Sequence, residues 1–208
     1  MSYGGGKKFP KTWLVSYYKL DNNANDSHWS NNGTVSGATY TGSGKINGAY
    51  IFDGVNDVIT AGTSLHISSE YTVSFWANID ALPTTGNLQS FFYNRQTRWM
   101  GYGWECQIYN DWGTQKWFVS HNTTFNPINV SLTTGSFIHL VVKYSSNTIT
   151  FYQNNSVVWT LSQSTAPTTN TDLFRIGDWG GVGRYFKWLM DEIGIRNRAL
   201  TTDEITDL

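Results

Sequence analysis

Phe137-Ile138-His139-Leu140-Val141-Val142-Lys143-Tyr144-Ser145-Ser146-Asn147-Thr148-Ile149-Thr150-Phe151-Tyr152-Gln153 reads as two β-strands and their turn. β-Branched and aromatic residues fill both arms, and Ser145-Ser146-Asn147 between them supplies short polar side chains that bond their own backbone in turns. So short a connection forces antiparallel pairing. Ser156 to Leu161 continues the meander.

The same pattern extends both ways along the chain. Tyr71 to Ala77 alternates strictly, with Tyr71, Val73, Phe75 and Ala77 on one side. Tyr102, Trp104, Cys106 and Ile108 share one face; Glu105, Gln107 and Tyr109 share the other. Lys116 to Ser120 pairs with that strand across Asn110-Asp111-Trp112-Gly113. Further runs lie at Trp13 to Tyr18, Ala49 to Phe52, Asp57 to Thr60, Phe91 to Tyr93, Leu173 to Ile176 and Lys187 to Ile195. About a dozen strands with turn signals every 8–12 residues predict an all-β sandwich or barrel. One short helix is expected at the C-terminus, where Thr201 and Glu204 form a capping box.

Composition agrees. Charged residues are 14% of the 208, aromatics 16%, with 10 Trp and 12 Tyr. Net charge is −1, which argues against a nucleic-acid binder built on a basic face and against a polybasic membrane anchor. Cys106 stands alone, so no internal disulfide forms, and it reads as a small buried hydrophobe. No apolar run is long enough to span a membrane. Residues 1–11, with Gly4 to Gly6 and Lys7-Lys8, read as a flexible tail before one domain over 12–208, and no secretory signal is expected there.

Three segments carry a resemblance. They are Tyr18-Lys19-Leu20-Asp21-Asn22-Asn23-Ala24-Asn25-Asp26-Ser27, Gly48-Ala49-Tyr50-Ile51-Phe52-Asp53-Gly54-Val55-Asn56-Asp57, and Leu189-Met190-Asp191-Glu192-Ile193-Gly194-Ile195-Arg196-Asn197-Arg198-Ala199-Leu200-Thr201. In order and spacing these resemble a laminin G-like domain of the concanavalin A-like lectin/glucanase superfamily. The resemblance implies a two-sheet antiparallel jelly-roll sandwich. It implies function only weakly, since one fold serves many functions. The aromatic run from Trp99 to Trp117 departs from the family pattern.

Two sites are expected. Asp21, Asn22 and Asp26 offer oxygen ligands of the kind Ca²⁺ takes, and the resemblance implies that Asp191 lies close to Asp26. A structural Ca²⁺ would then join the first and last strands. The alternative is that Asp26 makes an Asx-turn and Asp191 bonds backbone. The second site is a carbohydrate-binding face of Trp99, Glu105, Tyr109, Trp112, Asp178, Trp179, Arg184 and Tyr185. Trp and Tyr suit sugars because one end is apolar and the other bonds hydroxyls. Trp112 and Trp179, flanked by Asp and Gly, are expected to be exposed.

Glycoside hydrolysis needs two facing carboxylates. The related glucanases carry Glu-x-Asp-x-x-Glu or a near variant, and Glu70, Glu105, Glu192 and Glu204 do not form one. His28, His66, His121 and His139 show no zinc spacing. The expected function is therefore a non-catalytic, lectin-like domain that binds a glycan or host polysaccharide. Its expected setting is extracellular or on the surface of a phage or virus particle. The alternatives are a structural decoration or fibre protein, contacting a neighbouring virion protein or its own copies, and a glycoside hydrolase relative with lost or weak activity. No nucleic acid and no membrane insertion are expected.

Overall fold

The structure is a computed structural model. It describes the backbone of Ser2–Tyr3 and Lys7–Lys8, and residues 11 to 208 except Ser64, His66, Ser68 and 97–100. The strands are β1 (Ser2–Tyr3), β2 (Lys7–Lys8), β3 (Leu14–Tyr18), β4 (Thr34–Ser36), β5 (Thr39–Thr41), β6 (Ala49–Asp53), β7 (Val58–Ala61), β8 (Tyr71–Ile79) and β9 (Leu88–Arg95). They continue as β10 (Gly103–Asp111), β11 (Thr114–His121), β12 (Thr124–Asn129), β13 (Phe137–Ser145), β14 (Thr148–Gln153), β15 (Ser156–Ser162), β16 (Phe174–Ile176) and β17 (Lys187–Arg196). One helix, α1 (Thr202–Thr206), follows.

Two antiparallel sheets stack. One has seven strands in the order β12-β11-β10-β9-β16-β7-β4. The other has eight, β15-β14-β13-β8-β17-β6-β5, with β3 also paired to β17. This is the all-β jelly-roll sandwich that the sequence predicts. Of the segment expected as a tail, residues 1, 4–6, 9 and 10 lie outside the described residues, and β1 pairs with β2.

Period-2 alternation builds the core. Tyr71, Val73, Phe75, Ala77 and Ile79 of β8 all point inward with 0% exposure. Phe75 meets Phe91 and Phe92 of the opposite sheet at ring separations of 4.9 and 4.8 Å. Trp104, Cys106 and Ile108 of β10 face the same core, as read. Each such side chain contributes about 1.5–3 kcal/mol by leaving water. Burial pushes the Cys106 thiol up to about 12, and Trp117 Nε1–H donates to its sulfur at 3.1 Å, so it is a packed hydrophobe.

Outside the eight-stranded sheet, Leu200 and Ile205 cover Val141 and Tyr152. The capping box forms as expected: Thr201 accepts from the Glu204 amide, and Glu204 accepts from that of Thr201. Strand β12 is not apparent in the sequence because Pro127 interrupts it. An edge position permits this, since a proline there forfeits no inner ladder bond.

Candidate functional site

Since Trp104, Cys106 and Ile108 fill the core, Glu105, Gln107 and Tyr109 project from the other face of the seven-stranded sheet. Register then sets their neighbours. Glu105 pairs with Ser120 on β11 and Tyr93 on β9. Ser120 pairs with Phe125 on β12, and Tyr93 with Arg175 on β16. One line of side chains thus crosses five strands.

Glu105 anchors this line. It is only 3% exposed, yet both its oxygens are bonded. Arg95 Nη1–H donates to Oε1 at 2.6 Å. Trp179 Nε1–H and Gln107 Nε2–H donate to Oε2 at 2.6 and 3.0 Å. Arg95 also donates to the backbone carbonyls of Gly101 and Asn122. Two buried polar atoms of this network, Gln107 Oε1 and Arg95 Nε, have no hydrogen-bond partner. Over it opens a cavity of about 200 Å³, lined by Phe118, Phe125, Trp179, Arg184, Glu105 and Gln107 among others. A second cavity of about 350 Å³ shares Arg95 and is lined by Tyr93, Asp172, Leu173, Arg175 and Gly180.

The β16–β17 loop forms one wall. Its stem closes through Gly177 N–H to Phe91 O and Phe186 N–H to Gly177 O, both 2.9 Å. Within it, Gly180, Gly181 and Gly183 have φ of 67, 79 and 71°, a region that only glycine occupies without strain. Asp178, 1% exposed, accepts from the Gly181 amide at 2.8 Å and from Arg175 at 3.1 Å. This turn presses Trp179 down onto Glu105. The Arg184 guanidinium lies 3.9 Å from the Trp179 ring centre. Burial lowers its pKa, while Glu105 and Tyr109 act to raise it.

Of the residues expected at a sugar site, the structure brings together Glu105, Tyr109, Asp178, Trp179 and Arg184. Tyr185 joins by its backbone, which bridges Ser90. Trp99 lies outside the described residues. Trp112 is 86% exposed, as expected, but sits at the β10–β11 hairpin tip. That is five residues past Gln107, about 17 Å along an extended strand. The expectation that Trp179 is exposed is corrected: it is 4% exposed, because its indole N–H finds Glu105 and its ring faces are covered by neighbours. Arg95, Phe118, Ser120 and Phe125 were not singled out from sequence. The β11 alternation signals Phe118 and Ser120, whereas Arg95 and Phe125 need the three-dimensional pairing.

The acidic residues of the first loop divide. Asp26 bridges to Tyr18 on the side of β3 away from β17. Its carboxylate accepts from Ser16 Oγ–H and from the amides of Tyr17, His28 and Asn31. It is thus a loop-closing acceptor, and the neighbour of Asp191 is Asp21 instead, a correction to the expected pairing. Asn22 is exposed. Asp191 is fully buried; Oδ2 accepts from Ile46 N–H at 3.0 Å and Oδ1 has no partner. Burial, together with the Asp21 charge, raises its pKa to about 7 against three backbone amides. A buried carboxylate oxygen without a donor, beside a second carboxylate, fits a hard cation. No cluster of three or more His, Cys, Asp or Glu that could hold a metal ion occurs among the described residues.

Comparison with solved structures gives the same architecture. Domain 4 of AbnA, an extracellular GH43 arabinanase from Geobacillus stearothermophilus solved with arabinotriose, superposes with a TM-score of 0.76 and 23% identity over 93% of this chain and 97% of that one. The binding domain of Paraclostridial Mosquitocidal Protein 1 gives 0.71 and 18%, and that of botulinum neurotoxin serotype D gives 0.70 and 14%. These cover 94% and 93% of this chain, which spans 51% and 50% of theirs. Comparison with curated sequences gives no match. The family model Laminin_G_3, of the concanavalin A-like lectin/glucanases superfamily, matches residues 52–206. That match, over most of the chain, makes the protein a member of this laminin G-like family.

Proposed function

We propose that the chain is a non-catalytic carbohydrate-binding domain whose ligand lies on the outward face of the seven-stranded sheet, above Glu105. The observation that carries this reading is the pairing, in one small cavity, of aromatic faces with pre-oriented polar groups. Phe125, 54% exposed, offers a surface for the C–H face of a sugar, and the buried rings of Phe118 and Trp179 form the apolar floor beneath it. Gln107, held by Glu105, keeps an acceptor without a partner for a hydroxyl. The likeness to an arabinanase domain solved with arabinotriose supports a glycan as the ligand class.

A binding role fits the charges better than hydrolysis does. Glycosidases place two carboxylates across the scissile bond. Glu105 is the one carboxylate lining this cavity among the described residues, and Arg95, Gln107 and Trp179 already occupy it. We also propose a structural Ca²⁺ held by Asp21 and Asp191, which would tie the end of β3 to β17 by neutralising two adjacent carboxylates. The test is a glycan array in calcium buffer, followed by calorimetry on the best ligand. Phe125→Ala and Gln107→Ala are each expected to weaken binding about tenfold or more, a loss of one stacked face or one hydrogen bond, with the fold intact. Folded protein that binds no glycan, or affinity unchanged from the parent chain in both variants, contradicts the reading.

A further inference from the structure

The cavity over Glu105 does not stand alone. It shares Arg95 with the cavity beside it, and the β16–β17 loop borders both, through Trp179 in the first and Gly180 in the second. At about 200 Å³ the first falls short of the roughly 300 Å³ at which cavities for small ligands begin. Joined to the second, of about 350 Å³, it lies within their usual range. Strand register sets the span of the pair. The row Phe125, Ser120, Glu105, Tyr93 and Arg175 runs from β12 to β16, four strand spacings or about 19 Å. That is longer than one sugar ring. Both ends lie open, since Phe125 is 54% and Leu173 42% exposed. Beyond Arg175 the row continues through the short side chains of Thr60 and Thr34.

We propose that the two cavities are adjoining subsites for one neutral oligosaccharide, a chain of several linked sugars and not a single terminal sugar. This rests on the glycan-binding reading above and names the class of glycan. The linings are complementary in kind. The first offers Phe125 and its apolar floor to a ring face. The second is polar, with Gln96, Arg175 and Asp172 along its wall. Asp172 bonds its neighbours through its backbone carbonyl and amide, which leaves the carboxylate to accept from a ligand hydroxyl. Charge selects a neutral chain. Arg95 pairs with Glu105 and Arg175 with Asp178, and the charges that remain are Arg184 in one cavity and Asp172 in the other, of opposite sign. A polyanionic chain filling both would set a carboxylate against Asp172.

Calorimetry of the full chain in calcium buffer tests this with arabino-, xylo-, cello-, manno- and malto-oligosaccharides of one to six units, and with oligogalacturonides as the acidic counterpart. The expected result is a neutral series whose affinity rises at least tenfold from the monosaccharide to the longest chain, because the second subsite is filled without a second association cost. Asp172→Ala and Gln96→Ala, on the second cavity, are each expected to cut that length dependence severalfold at an unchanged melting temperature. Phe125→Ala, on the first, is expected to weaken every length that binds by a similar factor. Affinity that does not depend on length, or length dependence unchanged in both second-cavity variants, overturns the two-subsite proposal and leaves a glycan over Glu105. Preference for the oligogalacturonides overturns the assignment of a neutral chain. Binding of no series at any length overturns the glycan reading and this proposal together.

Discussion

At the residue scale the core holds a polar relay whose directions are fixed by chemistry. Trp104 Nε1–H can only donate, and it donates to the Tyr71 oxygen at 2.8 Å. Tyr71 O–H therefore donates to His121 Nε2 at 2.8 Å, and His121 Nδ1–H donates to the Thr165 carbonyl at 2.9 Å. Tyr71→Phe would leave an indole N–H and an imidazole nitrogen buried without partners. The expected cost is about 2–4 kcal/mol in urea unfolding, with little change in shape. The same burial lowers His121 to about 4, and His139, stacked on Trp76 and near Arg196 and Lys45, also to about 4. Both folded values lie below the unfolded value near 6.5. The stability they carry is complete above pH 6.5 and is lost as pH falls toward 4, because the unfolded chain binds the protons first. Asp191, raised to about 7, acts in the opposite sense over the same range, so the contrast to measure is between variants: by chemical denaturation, His121→Gln should lose about 2 kcal/mol less than the parent chain between pH 7 and pH 4.5. The sequence shows His139 as a strand residue in need of a hydrogen bond, and Asn155 supplies it at 2.9 Å. Nothing in the sequence shows that Trp179 is buried, since Asp178-Trp179-Gly180 has the composition of an exposed turn and Glu105 is 74 residues away.

At the element scale the strands were legible and their partners less so. Alternation in β8 and β10 names the core face residue by residue, because a strand has only two faces. Alternation cannot show that β9 lies between β10 and β16, and that order is what lets Arg95 reach Glu105. The 177–186 loop is the element on which the site depends. Asp178→Ala removes the acceptor for Gly181 N–H and leaves Arg175 without its partner. It should lower stability by about 1–3 kcal/mol and weaken glycan binding more than it speeds unfolding of the sheets. Hydrogen exchange confined to 177–186 would report the loosened loop. Gly177 has a separate constraint. Its φ is 84°, and an added Cβ would lie 2.4 Å from the Phe52 ring, so Gly177→Ala should destabilise the whole sandwich.

At the scale of the whole molecule, β3 and β17 bring the two ends of the domain together. Asp191 sits where β17 bulges between Asp191 and Gly194, beside Asp21 just past β3. Calcium should therefore raise the melting temperature at pH 8, and Asp191→Asn should abolish that response; a response that persists in the variant would place the cation elsewhere. The acidic motifs could be read from sequence, but their pairing could not: Asp26 and Asp21 differ by five positions and lie on opposite sides of one strand. The central claim is that a glycan binds over Glu105. It is tested most directly by the indole N–H resonances of the ¹⁵N-labelled protein during titration with an oligosaccharide chosen from the array. The Trp179 signal, from the proton given to Glu105, should shift in a saturable way while the Trp112 signal at the hairpin tip stays in place. A shift confined to Trp112, with Trp179 unmoved at saturation, would contradict the account.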